Sequence, residues 1–128
     1  CNAGDGCFTP GNHFYISRIM EINQALDALS ALAQPMRLDA FRLLVKAGPA
    51  GLCAGEIATR LQARPNTLSA NLAHLVAAGL VRNTREGRQI RYVVEMEGMQ
   101  RLLGFLMEDC CGGQPELCRP VLEKIVCC

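Results

Sequence analysis

The order of breaks between residues 54 and 94 constrains the fold of this chain more than any other feature. Ala54 to Leu61 carries apolar residues at helical spacing, with Ile57 and Leu61 on one side. Gln62-Ala63-Arg64 follows as a tight link. Pro65 then stands where a new helix can begin, because the first helical position has no use for an N–H. Leu68, Leu72, Leu75 and Val76 give that second helix an apolar stripe, and Gly79 suits the residue just past its end. The period then changes. Residues 80–84 and 89–94 read as two strands around Arg85-Glu86-Gly87-Arg88, a four-residue turn in which Gly87 supplies a positive φ. Two helices on a tight link, then a hairpin, give the order of a winged helix-turn-helix. The expected fold is therefore mostly α with a small β-hairpin.

The flanking segments are helical. Upstream, Ile22, Leu26, Leu29 and Leu32, with Ala25 and Ala33, recur at spacings of three and four. Pro35 resets the chain, and Leu38, Phe41, Leu44 and Val45 form the stripe of the next helix. Gly48-Pro49-Ala50-Gly51 ends it. Downstream, a helix is expected from about Gly98 to Glu108, on Met99, Leu102, Leu103 and Leu106. A shorter one is expected over 117–126. Residues 1–19 show neither period and are expected to be a flexible N-terminal extension. A length of 128 residues, half of them apolar, fits one domain with one core. No apolar run approaches the ~18–20 residues of a membrane span.

Net charge is only +1, but it is unevenly spread. Between residues 64 and 93 the bases are Arg64, Arg82, Arg85, Arg88 and Arg91, against the single acid Glu86. Between residues 95 and 128 three bases face six acids. A basic middle beside an acidic end points to one polyanion-facing surface. With Leu68, Leu72 and Leu75 inward, the second helix turns Asn66, Thr67, Ser69, Ala70, Asn71 and His74 outward. These side chains are small and polar, so the helix can approach a major-groove floor, where Asn, Ser and Thr can bond base edges or phosphates. Arg64 lies near the helix N-terminus, which favours phosphate. Arg85 and Arg88 flank the hairpin tip, suited to phosphate or minor-groove contact. A solvated helix face and a charged hairpin would look the same one at a time; it is their order that points to double-stranded DNA. RNA is disfavoured because the second helix carries no Phe, Tyr or Trp and the hairpin only Tyr92, which makes no stacking platform. For His74, a groove contact and a plain surface position both remain open.

The chain holds eight cysteines, at 1, 7, 53, 110, 111, 118, 127 and 128. They cluster at the ends and in adjacent pairs, and no secretory h-region is visible, so free or metal-bound thiols in a reducing cytoplasm are expected. Cys110-Cys111-Gly112-Gly113-Gln114-Pro115-Glu116-Leu117-Cys118 gathers three thiols in a turn-prone loop, with Glu116 the only His, Asp or Glu between them. Thiolates select soft ions. Trivalent arsenic, trigonal and carrying a lone pair, is completed by three sulfurs. Tetrahedral zinc would need a fourth ligand, from Cys53, Cys127 or Cys128, at a spacing unlike a zinc finger. The polar, Gly-rich setting argues against these cysteines as apolar core filler. Cys127-Cys128 is open between a further soft-metal contact and an inert tail. An enzyme is not expected: no anion cradle or base accompanies any cysteine, and Glu108 and Asp109 would repel an oxyanion and raise thiol pKa.

Several stretches together resemble the ArsR/SmtB family of metal- and metalloid-responsive repressors. They are Leu32-Ala33-Gln34-Pro35-Met36-Arg37-Leu38, Gly55-Glu56-Ile57-Ala58, Pro65-Asn66-Thr67-Leu68-Ser69 with Leu72-Ala73-His74-Leu75, Ala78-Gly79-Leu80-Val81, Glu86-Gly87-Arg88 and Arg91-Tyr92. The resemblance covers roughly residues 22–106. It implies a dimeric winged-helix repressor that leaves operator DNA when its inducer binds, with the dimer built from the first and last helices. Many arsenite-responsive members carry Cys-x-Cys on the first helix of the helix-turn-helix. Here the matching stretch is Leu52-Cys53-Ala54-Gly55-Glu56, with Gly55 where the second thiol would stand. The acidic and His ligands of zinc-sensing members are absent from the last helix, the only histidines being His13 and His74. The sensing thiols are therefore expected at Cys110, Cys111 and Cys118.

This gives three parts: a flexible extension at 1–19, a DNA-binding and dimerisation domain at 20–109, and a Cys-rich metalloid-binding segment at 110–128. The expected function is a homodimeric repressor released by As(III), with methylarsenite, Sb(III) or Cd(II) as alternative inducers and no organic cofactor or membrane partner. A thiol-redox or cadmium/zinc-responsive repressor of the same fold is the alternative.

Overall fold

The computed structural model describes residues 12–107 and 115–125. Among these, six helices and three short strands follow one another in the order α1(Asn12–Leu32), α2(Pro35–Ala47), β1(Leu52–Cys53), α3(Ala54–Leu61), α4(Pro65–Ala77), β2(Val81–Glu86), β3(Gln89–Val94), α5(Met96–Leu106) and α6(Pro115–Ile125), with a 3-10 turn at Gly48–Ala50. The mostly helical winged helix-turn-helix is thus the observed architecture.

Helix α1 starts at Asn12, ahead of the expected start near Ile22. No Gly or Pro lies between Asn12 and Leu32, so nothing interrupts the i→i−4 ladder. Its faces are also distributed differently from expectation. Ala25, Ala28 and Ala31 are buried, while Ile22, Leu26 and Leu29 are exposed. Small alanines let α1 lie close against α2, α4 and α5, and the larger residues are left pointing away.

The core is formed by Leu44, Ile57, Leu68, Leu72, Leu75 and Leu80, all fully buried. They come from α2, α3, α4 and the start of the wing, so the helix-turn-helix and its scaffold share one interior. Each such side chain contributes about 1.5–3 kcal/mol through burial. Helix α2 starts at Pro35, and the Gln34 side-chain oxygen accepts the Arg37 backbone N–H at 2.8 Å.

The three strands form one antiparallel sheet in the order β1-β3-β2. Strand β1 is an addition to the expected hairpin; it pairs Leu52 with Tyr92 and Cys53 with Arg91. Glu86 pairs with Gln89, so the hairpin closes on Gly87-Arg88 alone, a tighter turn than the expected four residues. Gly87 has φ +61° and is the first of the two turn residues, the arrangement of a type II′ turn whose twist matches the strands. Arg85 and Glu86 belong to the strand: β2 is exposed beyond Val81, so polar residues continue it as well as apolar ones would.

Helix α4 ends as expected. Gly79, at φ +78°, donates its N–H to Val76, and Leu80 donates to Leu75, which satisfies the last carbonyls of the helix. Helix α5 starts at Met96, two residues before the expected Gly98. Gly98 is buried against Gly79, and a Cβ there would overlap the Gly79 carbonyl oxygen. The N-terminal turn of α5 therefore rests directly on the C-terminus of α4. The exposed apolar residues of α5 are Met96, Leu103 and Leu106, followed by Met107.

Candidate nucleic-acid interface

Helices α3 and α4 are joined by Gln62-Ala63-Arg64, with Gln62 in the left-handed region at φ 52°. That one residue turns the chain sharply enough for both helices to pack on the same core through Ile57, Leu68 and Leu72. Arg64 occupies the N-cap position of α4 with an extended backbone, and its side chain is exposed beside the positive end of the helix.

On α4, Asn66, Thr67, Ser69, Ala70 and His74 are all exposed on the face opposite Leu68, Leu72 and Leu75. This is the low polar surface expected of a helix that enters a groove. Arg85 and Arg88 are exposed at the tip of the hairpin, with the Arg85 Nε–H donating to the Gly87 carbonyl at 3.3 Å. That bond leans one guanidinium over the turn while leaving most of its donors free.

Asn71 differs from its neighbours. It is half-buried, and its amide is engaged on both sides. Its Nδ2 group donates to the Thr67 carbonyl at 3.0 Å and to Met36 Sδ at 3.2 Å, while its Oδ1 accepts from Arg37 Nη1 at 3.1 Å. Arg37 is not among the site residues expected from the sequence. It lies inside Gln34-Pro35-Met36-Arg37, and an arginine three residues into a helix carries no local signal for what it will bridge.

The wing is braced from behind. The Arg91 Nε–H donates to Glu86 Oε2 at 2.9 Å and its Nη1 donates to the Ala50 carbonyl at 3.0 Å. The Glu86 carboxylate holds the Arg91 guanidinium pKa above its ordinary value, with further support from Cys53. Glu86, the lone acid of the basic stretch, is thus turned to an arginine within the wing. Arg82 faces Glu95 at 3.8 Å across the base of the hairpin.

Of the expected metal ligands, Cys110 and Cys111 lie outside the described residues. Cys118 falls on α6, so its backbone is helical and not part of a loop. Among the described residues no group of three or more His, Cys, Asp or Glu could hold a metal ion. Cys53 is buried at the N-cap of α3, where its own N–H donates to Glu56 Oε1 at 3.1 Å. Among the described residues no helix is long and apolar enough to cross a membrane.

Residues 32–84 match a helix-turn-helix domain family, the span that carries α2 to the first wing strand. No curated protein matches the sequence at a significant level. Among solved structures, HlyU from Vibrio cholerae is 30% identical, with 66% of this chain and 91% of that one covered and a TM-score of 0.54. A possible transcriptional regulator for arsenical resistance is 27% identical over 76% of this chain and 95% of its own, with a TM-score of 0.57. The homodimeric winged helix-turn-helix DNA-binding domain of a possible ArsR-family regulator from Mycobacterium bovis is 25% identical. It covers 80% of this chain and 91% of its own, with a TM-score of 0.56. With the recognition helix, the basic wing and these likenesses together, the chain belongs to the ArsR-like winged helix-turn-helix transcriptional regulators.

Proposed function

We propose that this protein is a homodimeric repressor that leaves its operator when trivalent arsenic binds Cys110, Cys111 and Cys118. The observation that carries the reading is the pairing of a winged DNA-binding domain with a segment whose donor set is almost purely thiol. Three sulfurs with no histidine and one intervening acid suit As(III) better than zinc, calcium or magnesium. The likeness to a possible regulator for arsenical resistance supports the same chemistry.

Dimerisation is supported by Ile22, Leu26 and Leu29 on α1 and Leu103 and Leu106 on α5, all exposed. Burying these residues against a second copy removes them from water and fixes the spacing of two α4 helices. The thiol segment follows α5, and α5 rests on the end of α4 through Gly98 and Gly79. Drawing the three thiolates together pulls on the end of α5, and the displacement reaches the recognition helix through that contact. A coupling of about 1–3 kcal/mol changes operator occupancy about 5–150-fold.

The test is titration of the protein–operator complex with arsenite, methylarsenite, antimonite, cadmium and zinc. Release by the trivalent arsenicals ahead of zinc is expected. Release by peroxide with recovery in dithiothreitol, and none by any metal or metalloid, would replace this reading with thiol-redox sensing.

A further inference from the structure

The Arg37 side chain joins two helices that it does not belong to. Its Nε–H donates to the Ala31 carbonyl at 2.7 Å and Nη2 reaches the Ser30 carbonyl at 3.5 Å, at the C-terminal end of α1. Pro35 offers no N–H to the Ala31 carbonyl, while the Ser30 carbonyl also accepts the Ala33 N–H at 3.2 Å. Both lie at the negative end of the helix, where a guanidinium is the favoured partner. From the same guanidinium, Nη1 donates to Asn71 Oδ1 on α4. Asn71 is held in turn by Thr67 and Met36, so its amide has one orientation that satisfies all three contacts. The planar fork of arginine reaches acceptors on two elements at once, which a lysine ammonium on a flexible stem does not reproduce.

We propose that Arg37 and Asn71 form a latch that sets the position of the recognition helix α4 relative to α1, whose outward face carries Ile22, Leu26 and Leu29. Asn71 then acts on DNA binding as a positioning residue and reads no base. Both of its polar groups are already committed within the protein, unlike those of Asn66, Thr67 and Ser69, which are exposed and make no side-chain hydrogen bond among the described residues. The inference rests on α4 being the helix that meets DNA.

The test compares the full-length wild-type protein with Arg37→Gln, Asn71→Ala and the double variant, on a duplex selected by the wild type from a random pool. Each single variant should lose about tenfold in affinity, the scale of one charge-assisted hydrogen bond. The double variant should lose no more than the worse single one, within about twofold, because both remove the same link. The slope of affinity against salt should stay that of the wild type, since neither residue touches phosphate. The base preference of Asn71→Ala, read by repeating the selection, should be unchanged. Arg37→Lys, which keeps the charge and the aliphatic stem, supplies the same comparison should Arg37→Gln not fold. Additive losses, a shallower salt slope, or a changed preference at one position per half-site overturns the latch; the last would make Asn71 a base reader. A wild-type protein that enriches no duplex overturns the DNA-binding premise as well, whereas a wild type that binds with any of those results overturns the latch alone.

Discussion

Gly98 on α5 sits against the carbonyl oxygen of Gly79 at the end of α4, leaving no room for a Cβ between them. Two segments with separate tasks meet at that point, the recognition helix and the helix that leads to the thiol segment. A backbone-to-backbone contact transmits displacement better than a contact between flexible side chains, because neither surface can give way.

Gly98→Ala should therefore destabilise the protein by about 1–3 kcal/mol, as overpacking does in a tight interior. Urea unfolding checks this. The variant should also bind operator more weakly than its stability loss explains, because α5 must move off the end of α4.

Leu26→Glu tests the outward face of α1. Leu26 is 59% exposed in a single chain, so an exposed charge there costs the monomer little. Between two copies the same charge would be buried without a partner, at a cost of several kcal/mol. Sedimentation should show a shift from dimer to monomer with helical content kept.

The residues of the proposed DNA surface should divide by what they touch. Arg64→Ala, Arg85→Ala and Arg88→Ala should each weaken binding to all duplexes alike and lower the salt slope by about one for every phosphate left unneutralised. Asn66→Ala and Ser69→Ala should leave that slope unchanged and relax the preference at a base position instead.

The helix-turn-helix is legible in the sequence because its boundaries are marked by punctuating residues. Pro65 opens α4, Gly79 closes it, and Ile57, Leu68, Leu72 and Leu75 go inward as their spacing implies. Strand β1 is not legible: Leu52 and Cys53 are too few to show a period, and their pairing with Tyr92 and Arg91 is non-local. The polarity of Arg85 and Glu86 suggests a wider turn than the real one, because an exposed strand places no apolar demand on them. On α1 the spacing is helical as expected, and Leu32 packs against the core, but Ile22, Leu26 and Leu29 do not face it. Alanines take that place, and these three are left for a different surface. The Arg37–Asn71 contact joins residues 34 apart in sequence, and no local pattern announces it.

Cys53 offers a control on the sensing assignment. It is buried at the N-cap of α3, and a single thiol cannot chelate. Cys53→Ser should keep arsenite-induced release of DNA at wild-type concentrations of arsenite, as followed by fluorescence anisotropy of a labelled duplex.

Coupling of trivalent arsenic to DNA release through Cys110, Cys111 and Cys118 is tested most directly by Cys110→Ser and Cys118→Ser in the same anisotropy assay. Both variants should bind the operator as the wild type does and stay bound when arsenite is added. Variants that still release DNA at wild-type arsenite concentrations would contradict the assignment of the inducer site to these thiols.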